Sequence, residues 1–275
     1  MPEALGAYGL RLVGADGAEA ALVPASDTWP LVHLRVEVGA GQAGPEHLGD
    51  VRAHVRLRTG GCIDIDRQAG SAVYSVPSPL SPDELVHPYL APVAAVTAHW
   101  YGRESFHAGA VAIGGGVWAV VGDRHSGKST TLAALALRGL DVVSDDVLVV
   151  DGLEAFAGPR TIDLRADAAA HLGAGEGIGF AGARKRWRLR LSALDRRLTL
   201  SGWLFTTWAD DAVVARLPSS ATLSRLLRHR AINAVPNDAS AFLPLCALPA
   251  WELRRPRSWD ALPGAVDRLL QTVGG

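Results

Sequence analysis

Eight residues constrain this chain more than any others: Gly122, Asp123, Arg124, His125, Ser126, Gly127, Lys128 and Ser129. The run fits the pattern G-x-x-x-x-G-K-[ST]. Val117 to Val121 reads as a short buried strand before it. Lys128 to Arg138 reads as a helix after it, with Leu132, Leu135 and Ala136 on one face and Gly139 as a stop signal. In a strand–loop–helix setting the loop's backbone N–H groups point inward and, with the helix N-terminus, hold an anion. The spacing predicts a nucleotide phosphate there, with Lys128 at the β- and γ-phosphates and Ser129 as a ligand of Mg²⁺. A simple glycine turn is the competing reading. The complete pattern, its flanks and the acids that close a second apolar strand (Val142-Val143-Ser144-Asp145-Asp146) argue against it.

Composition narrows the class. The chain has 275 residues, 48% of them apolar and 20% charged, which suits a globular protein with a sizeable core. A formal net charge of −1 gives no general pull toward nucleic acid or an anionic membrane. Cys62 and Cys246 fit no metal or redox spacing and read as reduced core residues. Met1-Pro2-Glu3-Ala4 does not open a signal peptide, and no apolar run approaches the ~20 residues that span a bilayer. A cytoplasmic protein is expected.

The chain divides at a proline-rich stretch. Residues 1–92 read as a small, mostly β domain. Leu10 to Val13, Leu31 to Val38, His54 to Arg58, Cys62 to Asp66 and Val73 to Val76 are strand candidates, with a hairpin at Gly60-Gly61 and a loop from Gly39 to Gly49. Arg52, Arg56, Arg58, Asp64 and Asp66 read as the wet face of a sheet, or as a surface that grips a partner. Pro77 to Pro92 holds five prolines and marks the boundary, with a short helix within Asp83 to Tyr89.

Residues 93–275 hold the phosphate loop. Val93 to Tyr101 reads as a helix. Ala110 to Ile113 and Val117 to Val121 flank Gly114-Gly115-Gly116 as a strand hairpin, and Val147 to Val150 turns at Asp151-Gly152 into Leu153 to Phe156. The sheet around the loop should therefore be mixed, unlike an all-parallel one. Gly173 to Gly182 has five glycines in ten residues and reads as a mobile loop. Arg184, Lys185, Arg186, Arg188 and Arg190 follow it, and read either as a solvated strand edge or, with the loop, as a lid and clamp. Leu198 to Trp208 and Ala212 to Leu217 read as a strand pair joined at Asp210-Asp211. Helices follow from Ser219 or Ser220 to about Ala231 and from Ser258 to Val273. The eight tryptophans read as core or interface.

A strand with His107-Ala108-Gly109-Ala110-Val111, a glycine hairpin, a phosphate loop, a helix ending in Arg138-Gly139, and Ser144-Asp145-Asp146 together resemble the C-terminal catalytic domain of HPr kinase/phosphorylase. The likeness is specific from about residue 100 to 152. It implies an α/β fold: a phosphate-loop kinase core with a mixed sheet of the HPr kinase and phosphoenolpyruvate carboxykinase type. It implies transfer of a phosphoryl group from ATP, with Mg²⁺, to a serine hydroxyl. Carried over by position, Lys128 holds phosphates, Ser129 binds Mg²⁺ with Asp145 as its partner, Asp146 is the base, His107 orients Asp146, and Thr130 lies near the α-phosphate. Two departures stand out: His125 replaces the glycine at the fourth loop position, and the family's second signature has only an echo in Glu176 to Phe180.

The same division of labour follows from chemistry, since transfer needs charge neutralisation, alignment and an acceptor for the hydroxyl proton. Asp146 is expected just after a strand beside the loop strand, with Asp145 pointing elsewhere. The resemblance implies a kinase acting on a peptide or small protein, such as the C-terminal serine of a lasso-peptide precursor. Two alternatives stay open: a small-molecule alcohol as acceptor, and a nucleotide-binding switch without catalysis. A homo-oligomer also stays open.

Overall fold

The computed structural model describes residues 4–39, 44–194, 197–233 and 238–274. The chain is mixed α/β, with mixed sheets. An eight-stranded sheet forms first, from β1 (Leu5–Ala7), β2 (Leu10–Val13), β3 (Val23–Pro24), β4 (Leu31–Val38), β5 (His47–Leu48), β6 (Arg52–Arg56), β7 (Cys62–Asp66) and β8 (Ser71–Val76), in the order β3-β1-β2-β4-β8-β7-β6-β5. Its β7 and β8 alternate Ile63, Ile65, Ala72, Tyr74 and Val76 inward, so one face is apolar and the other wet. Of the loop expected from Gly39 to Gly49, residues 40–43 lie outside the described residues and the remainder contains β5.

The proline-rich stretch is short and ordered. Ser81 caps α1 (Pro82–Glu84) in a capping box with Glu84, a π turn covers Leu85–Tyr89, and α2 (Leu90–Trp100) follows. Helix α2 buries Leu90, Val93, Ala94 and Val96 in the same cluster as the first sheet, and Val149 and Phe156 join that cluster. Packing is thus continuous across residue 92.

The second sheet has β9 (Glu104–Phe106), β10 (Ala108–Ile113), β11 (Gly116–Val121), β12 (Val142–Ser144), β13 (Leu148–Asp151) and β14 (Glu154–Phe156) around a long β18 (Arg197–Trp208), in the order β12-β10-β11-β18-β14-β13-β9. β11 lies antiparallel to β10 and parallel to β18, so the sheet is mixed as expected. Between β14 and β18 the chain makes a separate three-stranded sheet of β15 (Thr161–Leu164), β16 (Glu176–Ala181) and β17 (Arg184–Arg190).

Helices cover both faces of the second sheet. Val117, Ala119 and Val121 face a cluster with Leu226 of α5 (Ser219–His229) and Phe242 and Leu245 of α6 (Ala239–Ala247). Trp118 and Val120 face α3 (Lys128–Ala136), α4 (Ala166–Leu172) and α7 (Ala261–Val273). Strand alternation therefore builds a two-sided core around the loop strand. Trp203 is fully buried against the edge of Phe106, with ring centroids 5.1 Å apart, and its Nε1–H donates to Leu245 O at 2.8 Å. No polar atom of that side chain is stranded.

One pairing differs from expectation. β19 (Val213–Arg216) does not return beside β18; it pairs antiparallel with β20 (Ala250–Arg255), which lies parallel to β18. The segment Asp210-Asp211 is a bend between two strands that β20 separates, not the tip of a direct hairpin.

Candidate functional site

The loop Gly122 to Gly127 leaves β11 and enters α3. Two of its glycines are required by space and backbone. A Cβ on Gly122 would lie 2.5 Å from Ser126 Oγ and 2.6 Å from Thr206 Oγ1. Gly127 has φ +86°, and a Cβ there would lie 2.7 Å from the Arg255 guanidinium and 3.0 Å from the Trp208 ring. His125 also takes a left-handed φ, +69°, where the related pattern has glycine. Neighbours hold it there: its carbonyl accepts from Trp208 Nε1 at 2.9 Å, and Nδ1 lies 2.5 Å from an Arg165 nitrogen. Arg165, then loss of hydration, then Arg184, Arg124 and Arg257 hold the His125 pKa below its ordinary value. Lys128 folds back over the loop, its Nζ donating to Gly122 O at 2.6 Å and Asp123 O at 3.2 Å. Burial lowers its pKa, against the pull of Asp145, Asp146 and Asp123.

The two acids diverge. Asp145 is buried, and its Oδ1 accepts from Ser129 Oγ at 3.0 Å. Burial pushes its pKa up to about 6; His87 and the Ser129 hydrogen bond oppose the rise, and Asp146 and Asp163 add to it. Asp146 has φ +71°, which swings its side chain out to solvent. It makes no hydrogen bond or ion pair among the described residues. Their strand, β12, is not beside the loop strand as expected; β10 lies between them. The acids reach the loop because they follow the end of β12, level with the start of α3. A hydroxyl and a buried carboxylate that makes no ion pair among the described residues form an oxygen donor set of the kind hard cations take, so Ser129 and Asp145 fit Mg²⁺.

His107 lies between β9 and β10, and its backbone N donates to His229 O at 2.7 Å. Although His107 is open to solvent on one side, its pKa is lowered, mostly by loss of hydration, with Asp146 the charge that opposes most strongly and Lys128 and Arg124 adding to the fall. His229, at the end of α5, is 12% exposed and has Nε2 3.8 Å from Asp123 Oδ1. The buried pair next to each histidine, Arg230 Nε to Glu104 Oε2 at 2.9 Å, fixes this contact between α5 and β9. Nothing in the sequence singled out His229, because it reaches the loop from more than a hundred residues away.

In front of the loop lies a cavity of about 330 Å³. It is lined by Lys128, Ser129, Thr130 and Asp146, by Arg165 and Asp167 at the start of α4, by Trp208, by Arg255 at the end of β20, and by Arg257, Ser258 and Trp259 after it. Seven cationic side chains and three carboxylates face it. Trp208 carries the Arg255 guanidinium over its ring at 4.3 Å. Two tryptophans, Trp208 and Trp259, thus line a cavity, although composition alone read all eight as core or interface.

The glycine-rich stretch is also corrected. Residues 176–181 are not an irregular loop: they form β16, paired with β17 through a bulge between Gly177 and Gly179. Four of the five basic residues of β17 share one face and divide by position along it, with Lys185 on the other. Arg184 and Arg186 line the cavity. Arg188, fully buried, donates to Asp163 Oδ1 and Oδ2 at 2.7 and 2.8 Å and to Asp83 Oδ1 at 2.6 Å. Arg190 is exposed, 3.9 Å from Asp83. Lys185, on the other face, lies 5.8 Å from the Phe180 ring centre.

Among the described residues no helix is long and apolar enough to cross a membrane. No family model and no curated protein matches this chain. Among solved structures it is similar to the Hpr(Ser) kinase/phosphatase from Coxiella burnetii, at 13% identity and a TM-score of 0.32, over 62% of this chain and 95% of that one. A likeness at that score carries no functional weight, and the reading below rests on the residues.

Proposed function

We propose that this chain is an ATP-dependent serine kinase of the HPr kinase-like type, acting in the cytoplasm on a peptide or small protein. One observation carries the reading: a complete phosphate loop opens on a cationic cavity, with a buried acid on Ser129 and an exposed acid, Asp146, at the cavity wall. A glycine turn used only for packing has no need of that constellation. The motif order from His107 to Asp146 agrees with it.

In this reading Gly122 to Thr130 hold the donor's phosphates. Lys128 leaves Gly122 O and Asp123 O to meet the β- and γ-phosphates. Ser129 and Asp145 hold Mg²⁺, which would supply charge neutralisation at the bridging oxygen. The acceptor oxygen attacks the γ-phosphorus, the bond to the β–γ bridging oxygen breaks, ADP leaves, and Asp146 takes the hydroxyl proton. His107, in the field of Asp146, orients it. Residues 1–92 would present the acceptor, with a lasso-peptide precursor's terminal serine as the specific candidate, and 93–275 would carry out transfer.

Asp146→Asn keeps the shape and removes the base, so kcat should fall about 10²–10⁴-fold with ATP affinity nearly unchanged. Asp145→Asn should be partly rescued by raised Mg²⁺, and Asp146→Asn should not be. Radiolabel transfer at two metal concentrations reads both. If neither variant loses more than about tenfold in rate, the base assignment fails and a nucleotide-binding switch becomes the better reading.

A further inference from the structure

The cavity carries more positive charge than the donor's phosphates require, and the protein does not balance it from within. Lys128 and Arg124 sit on the loop itself. Arg184 and Arg186 come from β17, and Arg257 from the segment after β20. None of these last three is paired with a carboxylate among the described residues. The next arginine on the same face of β17 shows the contrast: Arg188 meets two carboxylates. Arg186 Nε is buried without an acceptor, a donor that lacks its partner. The depressed pKa of His125 reports the same excess of positive charge, with Arg184 and Arg257 among its causes. Unpaired guanidinium groups repel one another, so a site of this kind calls for an anion.

We infer that the acceptor carries a carboxylate close to the hydroxyl that is phosphorylated, and that Arg184, Arg186 and Arg257 bind it. The inference rests on the kinase reading above. The wall is built from arginine, whose planar fork matches a carboxylate with two parallel hydrogen bonds, whereas the one lysine of β17 points away. On a peptide the carboxylate comes from the chain terminus or from an Asp or Glu side chain. Held there, it would draw the hydroxyl toward Asp146 on the same cavity.

Three synthetic peptide mixtures, each with one serine, test this with radiolabelled ATP. The first ends in serine with a free carboxylate, the second is the same mixture amidated, and the third is amidated with Asp next to the serine. Labelling of the first alone assigns the chain terminus. Labelling of the third alone assigns a side chain, and labelling of both but not the second assigns any nearby carboxylate. Equal labelling of the second overturns the inference and leaves the kinase reading intact. No label in any mixture, with Mg–ATP binding intact by calorimetry, also overturns it and favours the switch. Loss of Mg–ATP binding in the wild-type chain would instead sink the kinase reading itself. In the double variant Arg184→Gln/Arg186→Gln, and separately in Arg257→Gln on another element, KM for the labelled mixture should rise about tenfold or more, with kcat and ATP affinity within about threefold. An equal loss of ATP affinity would assign these arginines to the donor and overturn the inference. Arg188 is kept in every variant, so the fold is retained.

Discussion

The two sheets treat polar groups in opposite ways. In the first, among the described residues from 4 to 86, no serine, threonine, histidine or charged side chain is buried. Its ion pairs, Arg11–Asp27, Arg52–Asp66 and His54–Asp64, each have at least one partner more than half exposed. Among the described residues from His87 onward, sixteen polar or charged side chains are buried, among them Asp145, Asp163, Arg188 and Arg230. Burying such groups is costly unless each finds a partner. The first region keeps its charged groups at the surface, although Tyr8 Oη, Trp29 Nε1 and His54 Nε2 are buried there without a partner; the second buries charged groups, most of them in pairs. Buried charge thus sets the region around the phosphate loop apart from the first sheet.

Four experiments would break or sharpen that contrast. The largest effect belongs to Lys128→Ala, which should lower phosphoryl transfer by about 10³-fold or more, a loss typical of a cation that meets developing phosphate charge. Unchanged turnover would separate the loop from the chemistry. Next comes Arg188→Met. It takes from buried Asp163 the arginine that binds both its oxygens, leaving His87 Nε2 at 3.7 Å, takes from Asp83 its nearer arginine, and should destabilise the chain by about 3–5 kcal/mol in denaturant unfolding. A loss below about 1 kcal/mol would mean the pair hardly matters.

A smaller effect should appear at Asp145. Its folded pKa, about 6, lies above that of an unfolded aspartate. The folded state then binds the proton more tightly, so this group's stabilising contribution is full below about pH 4 and is lost as pH rises through about 6. In metal-free buffer Asp145→Asn should therefore raise stability at pH 7 by on the order of 2 kcal/mol and flatten the slope between about pH 4 and 6. A variant less stable than wild type at pH 7 would contradict the burial argument. The smallest effect is expected in the first sheet: Arg52→Ala removes an exposed pair and should change stability by less than about 0.5 kcal/mol. A larger loss would show that this region too depends on its polar contacts.

The sequence was legible where a local rule decides the outcome. The phosphate loop, its flanking strand and helix, the Gly60-Gly61 hairpin and the mixed character of the second sheet follow from residues within a turn or two of one another. What escaped depends on long-range placement. The stretch 176–181 is rich in glycine, yet pairing with β17 holds it as a strand. β20, unread in sequence, lies parallel to β18 and carries Arg255 to the loop. His229 gains meaning only when α5 ends against β9. The five basic residues of β17 could not be sorted until packing fixed which of them meets Asp83 and Asp163 and which meet the cavity. Among the candidate site residues, the loop, Ser129 with Asp145, and His107 in the field of Asp146 come together; the arginine wall was visible only in part.

The order of the arginines along β17 has a consequence for how such a protein could change. The arginine that anchors the strand and those that face the cavity follow one another on one face of a short segment, but they share no partner. Substitution at position 184 or 186 leaves the anchor in place, and substitution at 188 unfastens the strand. A lineage could therefore drift from one acceptor to another by single exchanges at the cavity positions, each nearly neutral for folding. Tolerance to mutation along this face should therefore fall between 186 and 188, and a library randomised at 184, 186 and 257 would be the place to look for altered acceptors.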